Sequence, residues 1–157
     1  MIPFDVDAPV TAEVFTLVLE EGGLVLTGPC GAAPWLIETD RSEHPLHTVR
    51  RIATPILDPM LLHSTSWRFD RDSVILTFVV VVAARGEMAG VPVGRTVLAR
   101  SGATSAPSEI RDIQVLEHAI RHLAWLAAED DGVRSVLDLA WHEILSEYVP
   151  EPFQQLG

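Results

Sequence analysis

A run of eleven residues from Val74 to Ala84 is the feature that most constrains the fold of this chain. Apart from Thr77 the run is apolar, and it is rich in valine. It is too short to cross a membrane as a helix, which takes about 20 apolar residues. β-Branched residues favour strands, and a strand without alternating polar residues is one that is covered on both faces. The run therefore predicts a buried strand with other elements packed on each side of its sheet.

The first half of the chain predicts a hairpin, a short strand and a helix. The apolar segments Val14–Leu19 and Leu24–Thr27 flank a Glu-Glu-Gly-Gly turn, and Trp35–Glu38 is typical of a third strand. A helix is expected after Ser42, because serine is a preferred N-cap residue. Pro55 should end or kink that helix, since the residue before a proline is disfavoured in helical backbone.

The second half predicts further strands and two helices. Met60–Phe69 alternates polar and apolar residues, and Val91–Ala99 is interrupted by proline and glycine, as at a sheet edge. Long helical stripes predict helices over Ser108–Ala128 and Val133–Tyr148. This order predicts a single α+β domain over residues 1–157, with a loose tail from about residue 150. The expected sheet is mixed or antiparallel, with one helix after the early strands and two C-terminal helices.

The charge of the chain is negative and unevenly distributed. The formal net charge is −11, all 11 basic residues are arginine, and residues 101–157 hold 10 acidic residues against 3 arginines. A protein built around a phosphate backbone needs clustered cations. The charge total therefore predicts no nucleic-acid partner. The single cysteine, Cys30, excludes an internal disulfide framework.

The sequence lacks the signals of secretion, membrane insertion and nucleotide binding. Its first ten residues hold Asp5 and Asp7 and no basic stretch before an apolar run, so no signal peptide is predicted. We therefore expect a cytoplasmic protein with no membrane partner. The glycines at Gly22–Gly23 and Gly28–Gly31 form neither of the common nucleotide-binding loops, and no cofactor is predicted.

The order of elements resembles that of the Nudix family, and the segment from Trp35 to Ala83 carries the likeness. The family's sequence box ends in Arg-Glu-apolar-x-Glu-Glu-x-Gly. When the box arginine is aligned with Arg50, the apolar position falls on Ile52 and agrees. The two metal-binding glutamates fall on Thr54 and Pro55. The resemblance is therefore to a Nudix-like fold with a degenerate Nudix box.

This resemblance implies a Nudix-like scaffold without the family's standard hydrolysis. In the family the box carboxylates hold Mg²⁺ against a diphosphate, and Mg²⁺ takes hard oxygen ligands. The threonine and proline found here supply no carboxylate, and the box-like helix carries Arg50 and Arg51 instead. Those arginines could pair with nearby acids or bind an anion. No catalytic residue is predicted.

The most polar part of any predicted strand runs from His63 to Arg68. Strand alternation predicts that its two serines and Arg68 share one face, and that His63 and Trp67 share the other. In a Nudix-like sheet this strand would lie near the substrate cleft. The ligand-binding candidates are His63, Ser64, Ser66, Trp67, Arg68 and Arg50. The alternative is an edge strand with one exposed polar face.

Two features of the long C-terminal helix stand apart from its core stripe. His118 and His122 are one turn apart, so their imidazoles could begin a metal site if a third ligand approached. The alternative is a solvated face or a subunit contact. Trp125 also lies away from the core stripe. Either the next helix covers its indole, or the indole faces a partner chain, because tryptophan is enriched in interfaces.

Two functional hypotheses follow. The first is a non-catalytic domain on a Nudix-like scaffold that binds a small molecule or another protein and forms a homodimer. It is motivated by a well-formed core pattern without a complete catalytic set. The alternative is an atypical metal-dependent phosphohydrolase of nucleotide-like substrates, using His63, Glu43 or the pair His118 and His122. The enzyme hypothesis is the less favoured of the two.

Overall fold

The computed structural model describes residues 9–31, 33–39, 42–93 and 107–148. Its strands are β1 (Val10–Glu20), β2 (Gly23–Thr27), β3 (Trp35–Glu38), β4 (Leu61–Asp70), β5 (Ser73–Val82) and β6 (Gly90–Pro92). Its helices are α1 (Pro45–Leu57), α2 (Pro107–Glu129), α3 (Asp131–Val136) and α4 (Leu139–Leu145), followed by a 3-10 turn at Ser146–Tyr148. The predicted α+β class is confirmed.

The strands form one mixed sheet in the order β4-β5-β1-β2-β6. β1 pairs in parallel with β5, and every other pairing in the sheet is antiparallel. The opposite edge of β1 is divided between two partners, β3 along its first half and β2 along its second half. The buried run predicted from the sequence is β5, which lies between β1 and β4.

Alternate residues of the strands face two separate cores, as the buried run predicted. On one face helix α1 packs, and its buried residues are Thr48, Val49, Ala53 and Leu57. On the other face α2, α3, α4 and the 3-10 turn pack together, burying Leu123, Trp141 and Tyr148 among others. The described residues therefore form three layers, with α1 on the first face of the sheet and α2, α3 and α4 on the second.

Helix α1 differs at both ends from the sequence prediction. The N-cap is His44 and not Ser42, because the His44 Nδ1 accepts the Leu46 N–H at 3.1 Å. Pro55 does not end the helix, which continues to Leu57 and closes where Asp58 adopts a left-handed φ of 48°. A proline near the C-terminus of a helix removes only one backbone donor, and the burial of Leu57 in the core outweighs that loss.

The C-terminal helices agree with the prediction in pattern and differ from it in continuity. α2 matches the first predicted helix within a few residues. The second predicted helix is broken at Leu137–Asp138, where the Asp138 carboxylate accepts the Trp141 N–H at 3.1 Å and begins a new helix. Aspartate is a strong N-cap because its side chain accepts a hydrogen bond from a backbone N–H in the first turn of the helix. Its capping preference explains the break.

Some expectations fall partly or wholly outside the described residues. The strand predicted over Val91–Ala99 is described only as β6, and residues 94–99 lie outside the described ranges. The tail from residue 149 lies outside them too. Within the described part of the chain, no helix is long and apolar enough to span a membrane.

Candidate functional site

The polar segment of β4 contains a β-bulge that changes which side chains share a face. The pairing with β5 shifts register between Ser64 and Ser66, so Thr65 is an extra residue. As a result His63, Ser66 and Arg68 lie on the α2 side of the sheet, whereas Ser64 lies on the α1 side. The predicted grouping of Ser64, Ser66 and Arg68 is therefore wrong, because simple alternation does not survive a bulge.

Arg68 is held by an ion pair inside the sheet. Its two terminal nitrogens donate to Glu13 Oε1 at 2.9 Å and to Oε2 at 3.0 Å. The Thr77 hydroxyl donates to Glu13 Oε1 at 3.1 Å. The Glu13 side chain is only 4% exposed, and that of Arg68 is 30% exposed. This bidentate arrangement fixes the guanidinium, so Arg68 serves first to neutralise a buried carboxylate.

Sequence reasoning missed Glu13. The only signal is an acidic residue in the interior of the apolar strand β1, with buried apolar neighbours on both sides. A buried carboxylate requires a cation and hydrogen-bond donors. That requirement could have directed attention to an arginine on a nearby strand, but it could not have chosen among the arginines.

Trp67 lies on the α1 side of the sheet with Phe69. The two rings meet edge to face, with 5.4 Å between their centroids. Despite this contact the residues remain 53% and 49% exposed. β4 is the outermost strand in the described sheet, so its aromatic face lies at a margin of the molecule. An exposed aromatic pair is a common feature of binding surfaces.

His63 and the two helical histidines come together across the β4–α2 contact. The rings of His63 and His122 have centroids 6.1 Å apart, and His122 lies 5.9 Å from Trp125. Burial lowers the pKa of His122, and the nearby His63 and His118 lower it further by charge repulsion. Across the described residues, no group of three or more His, Cys, Asp or Glu is placed to hold a metal ion.

The exposure of Trp125 excludes one of the two environments predicted for its indole, which is burial under the next helix. Trp125 is 46% exposed, so α3 and α4 do not bury it, and it packs beside His122 on the outer surface of α2. A role in a subunit contact stays a prediction.

The exposed side of α1 carries positive charge. Arg51 pairs with Glu43 at 3.0 Å, and the Thr48 hydroxyl donates to the same carboxylate. The hydrogen bond from Arg51 lowers the pKa of Glu43, with partial burial acting in the opposite direction. Arg50 is exposed, and no acidic partner of Arg50 lies among the described residues. His47 is exposed one turn before it.

A cleft of about 560 Å³ lies at the other end of α1. It is lined by Pro29, Ile56, Leu57 and residues 84–88. Arg85 in its wall pairs with Glu20 at 2.8 Å. None of the predicted site residues lines this cleft. The structure places them instead on β4, on α2 and in the first turns of α1.

Comparison with solved structures gives two matches, both to NrtR from Shewanella oneidensis. The first is 16% identical, covers 94% of this chain and 83% of that chain, and has a TM-score of 0.56. The second is NrtR complexed with a 27mer DNA, at 15% identity, 94% and 81% coverage, and a TM-score of 0.53. At this identity the likeness shows a shared fold, which is Nudix-like as the resemblance implied.

Other comparisons give no match. No model of a protein family fits the sequence, and no curated protein matches it.

These findings correct two predictions. A protein that shares the fold along nearly all of this chain is solved with DNA, so the exclusion of a nucleic-acid partner is wrong. The same finding contradicts the predicted ligand- or protein-binding domain and the alternative phosphohydrolase. The physical error lay in the charge total. Phosphate contacts depend on the charge of one surface, whereas a net charge averages over all of them.

Proposed function

We propose that this chain is a DNA-binding regulator built on a Nudix-like domain. The observation that carries the proposal is the fold shared over 94% of the chain with a protein solved in complex with a 27mer DNA. The match extends over four-fifths of that protein as well.

The exposed surface of α1 is the part of the molecule best suited to DNA. From Arg41 to Leu57 the sequence holds three arginines and two histidines against one acidic residue, Glu43. Over the rest of the chain, the 8 remaining arginines are outnumbered by 21 acidic residues. Exposed Arg50 and Arg51 can each donate to a phosphate oxygen, and each contact releases condensed counterions. α1 is therefore the proposed DNA contact.

A degenerate Nudix box fits this proposal. We propose that α1 corresponds to the box helix, with Arg50 at the box arginine and Ile52 at the apolar position. Thr54 and Pro55 then replace the family's metal-binding glutamates and are both exposed. A helix stripped of those carboxylates no longer repels an anion directly, and its arginines can contact one.

The C-terminal helices are less suited to the same task. Between residues 130 and 148 the chain carries one arginine, Arg134, and five acidic residues. The guanidinium of Arg134 donates to the backbone carbonyls of Ala127 and Ala128 at the end of α2, which commits it to capping that helix. A surface of this charge would repel a phosphate backbone.

Titration of a labelled 27-base-pair duplex, followed by fluorescence anisotropy, tests the proposal. We expect binding near 50 mM salt that weakens about 15- to 60-fold by 200 mM, with a shallow slope of about −2 to −3 for two or three phosphate contacts. Arg50→Ala should weaken binding several-fold and lower that slope by about 1.

Arg121→Ala is the matched control. Arg121 is a partly exposed arginine on α2, on the opposite face of the sheet, and its side chain is 41% exposed. We expect this variant to bind like the parent. Absence of binding at low salt, or equal losses in the two variants, would contradict the proposal.

A further inference from the structure

The aromatic pair on β4 gives the proposed DNA contact a more specific partner. We propose that Trp67 and Phe69 form a base-stacking platform beside α1, and that this surface binds single-stranded DNA more tightly than a duplex. This inference rests on the proposed function and adds that the bases bound there are unpaired. It is carried by the placement of two exposed rings and a basic helix at one end of one sheet face.

The pairing of β4 with β5 puts both rings on the α1 side. Trp67 lies opposite Leu76 and Phe69 opposite Val74, and directly paired residues of antiparallel strands project from the same face. Leu76 packs against the core that α1 covers. The bulge at Thr65 matters here, because without it Trp67 would project toward α2.

The same pairings place the rings at the end of the sheet where α1 begins. β3 finishes at Glu38, which pairs with Thr11 near the start of β1, and α1 follows a short connection. After α1, β4 starts opposite Val81 near the end of β5. α1 therefore runs from the beginning of β1 and β5 toward their ends, and its first turns lie level with Trp67 and Phe69.

The flank of α1 that faces β4 carries Arg50. β3 and β4 run in the same direction within the sheet, and α1 is the helix that connects them. Such connections are right-handed in nearly all proteins. With that hand, the helical position of Arg50, about 100° from the buried Val49, is turned toward β5 and β4. α1 covers β1, so about two strand spacings, or roughly 10 Å, separate it from β4.

Arginines beside an exposed aromatic surface favour unpaired DNA over a duplex. In a duplex the base faces are stacked on one another and only the edges are accessible. In a single strand the faces are free, and any base can stack on an indole or phenyl ring while an arginine contacts the phosphate. The two rings at this sheet margin meet edge to face, 5.4 Å apart, so each exposed ring offers its own face to a base.

Comparison of a 27-nucleotide single strand with the 27-base-pair duplex of the same sequence tests the inference. We expect tighter binding of the single strand, with quenching of tryptophan fluorescence as bases stack. Trp67→Ala should weaken single-strand binding about tenfold, which is within the range for loss of one stacked base, and should leave duplex binding unchanged. Trp67→Tyr should restore most of the affinity.

Trp125→Ala is the matched control, since Trp125 is similarly exposed, at 46%, on the opposite face. It should not change single-strand binding. Circular dichroism and thermal melting check that each variant is folded, and Phe69→Ser gives a second lesion in the platform. If Trp67→Ala and Phe69→Ser both bind the single strand like the parent, or if the duplex binds more tightly, the stacking platform is wrong while the regulator survives. If neither DNA binds at low salt, both proposals fail.

Discussion

The two faces of the sheet are covered to very different extents. On one face α2, α3, α4 and the 3-10 turn build the larger core, and on the other α1 is the one helix among the described residues that covers the strands. The α2 side of the sheet also holds two polar pairs, namely the Glu13–Arg68 ion pair, of which Glu13 is buried, and the partly exposed contact of His63 with His122. The sparse face leaves Trp67 exposed. β5 is therefore buried on both faces although the two layers that cover it differ in size.

The largest expected effect is on the well-covered face. Arg68→Ala removes the cation that pairs with the buried Glu13. The Glu13 carboxylate then keeps its hydrogen bond from the Thr77 hydroxyl but has lost its counter-charge. Breaking a buried pair costs about 3–5 kcal/mol, and the partial exposure of Arg68 favours the lower end of that range. Urea unfolding should show the loss as a lower midpoint.

The double variant Glu13→Leu, Arg68→Leu is the control for that loss. It removes both charges and leaves none uncompensated, so it should be more stable than Arg68→Ala. A double variant that is less stable than the single one would show that the ion pair stabilises the sheet beyond neutralising a charge.

A smaller effect is expected at the break between α3 and α4. Asp138→Ala removes the acceptor of the Trp141 N–H and should lower the free energy of unfolding by about 1 kcal/mol. Asp138→Asn, which keeps a capping oxygen, should retain most of the stability. An unchanged melting temperature for the alanine variant would show that burial of Trp141, and not the cap, holds α4.

The pH dependence of stability separates the two faces further. The pKa of His122 is lowered in the folded protein, so the unfolded chain binds its proton more readily. Stability is therefore complete above the ordinary value of 6.5 and declines as the pH falls through the lowered value. His122→Gln should lose less melting temperature than the parent between pH 8 and pH 5, judged by the same thermal scan. An equal loss of melting temperature in the variant and the parent would show that another group causes the pH dependence of stability.

The smallest stability effect is expected on the sparse face. Glu43→Gln weakens a partly exposed ion pair with Arg51, and such pairs contribute little at neutral pH. Because the pKa of Glu43 is lowered, its contribution is present above 4.5 and is lost only as the pH falls below that value. At pH 7 the melting temperature should be unchanged, whereas DNA binding should tighten slightly because a negative charge beside Arg51 is removed. Weaker binding would contradict the role proposed for α1.

The fold was largely predictable because its signals are periodic. The buried apolar run predicted β5, and the apolar stripe at helical spacing predicted α2. The bulge at Thr65 was not predictable, because it depends on how two strands pair and not on either one alone. The same is true of the partnership of Glu13 with Arg68, which joins residues far apart in the chain.

The candidate site was less predictable than the fold. Trp67 and Arg50 were among the residues selected from the sequence, but the α1 side they share depends on the bulge and on the direction of α1. The charge total led to a wrong exclusion because it includes the acids of the C-terminal helices, which lie across the sheet from α1.

The parallel pairing of β1 with β5 has a consequence for how the chain folds during synthesis. Val10 pairs with Val74, so the central contact of the sheet closes a loop of more than sixty residues. Such long-range contacts are slow to form, because the entropy of the loop is lost before the contact is gained. At about 5–20 residues per second, β1 is made several seconds before its partner. During that interval the edge of β1 that will pair with β5 can associate with other chains. Rapid synthesis at high concentration should therefore produce more aggregate than slow synthesis at low concentration.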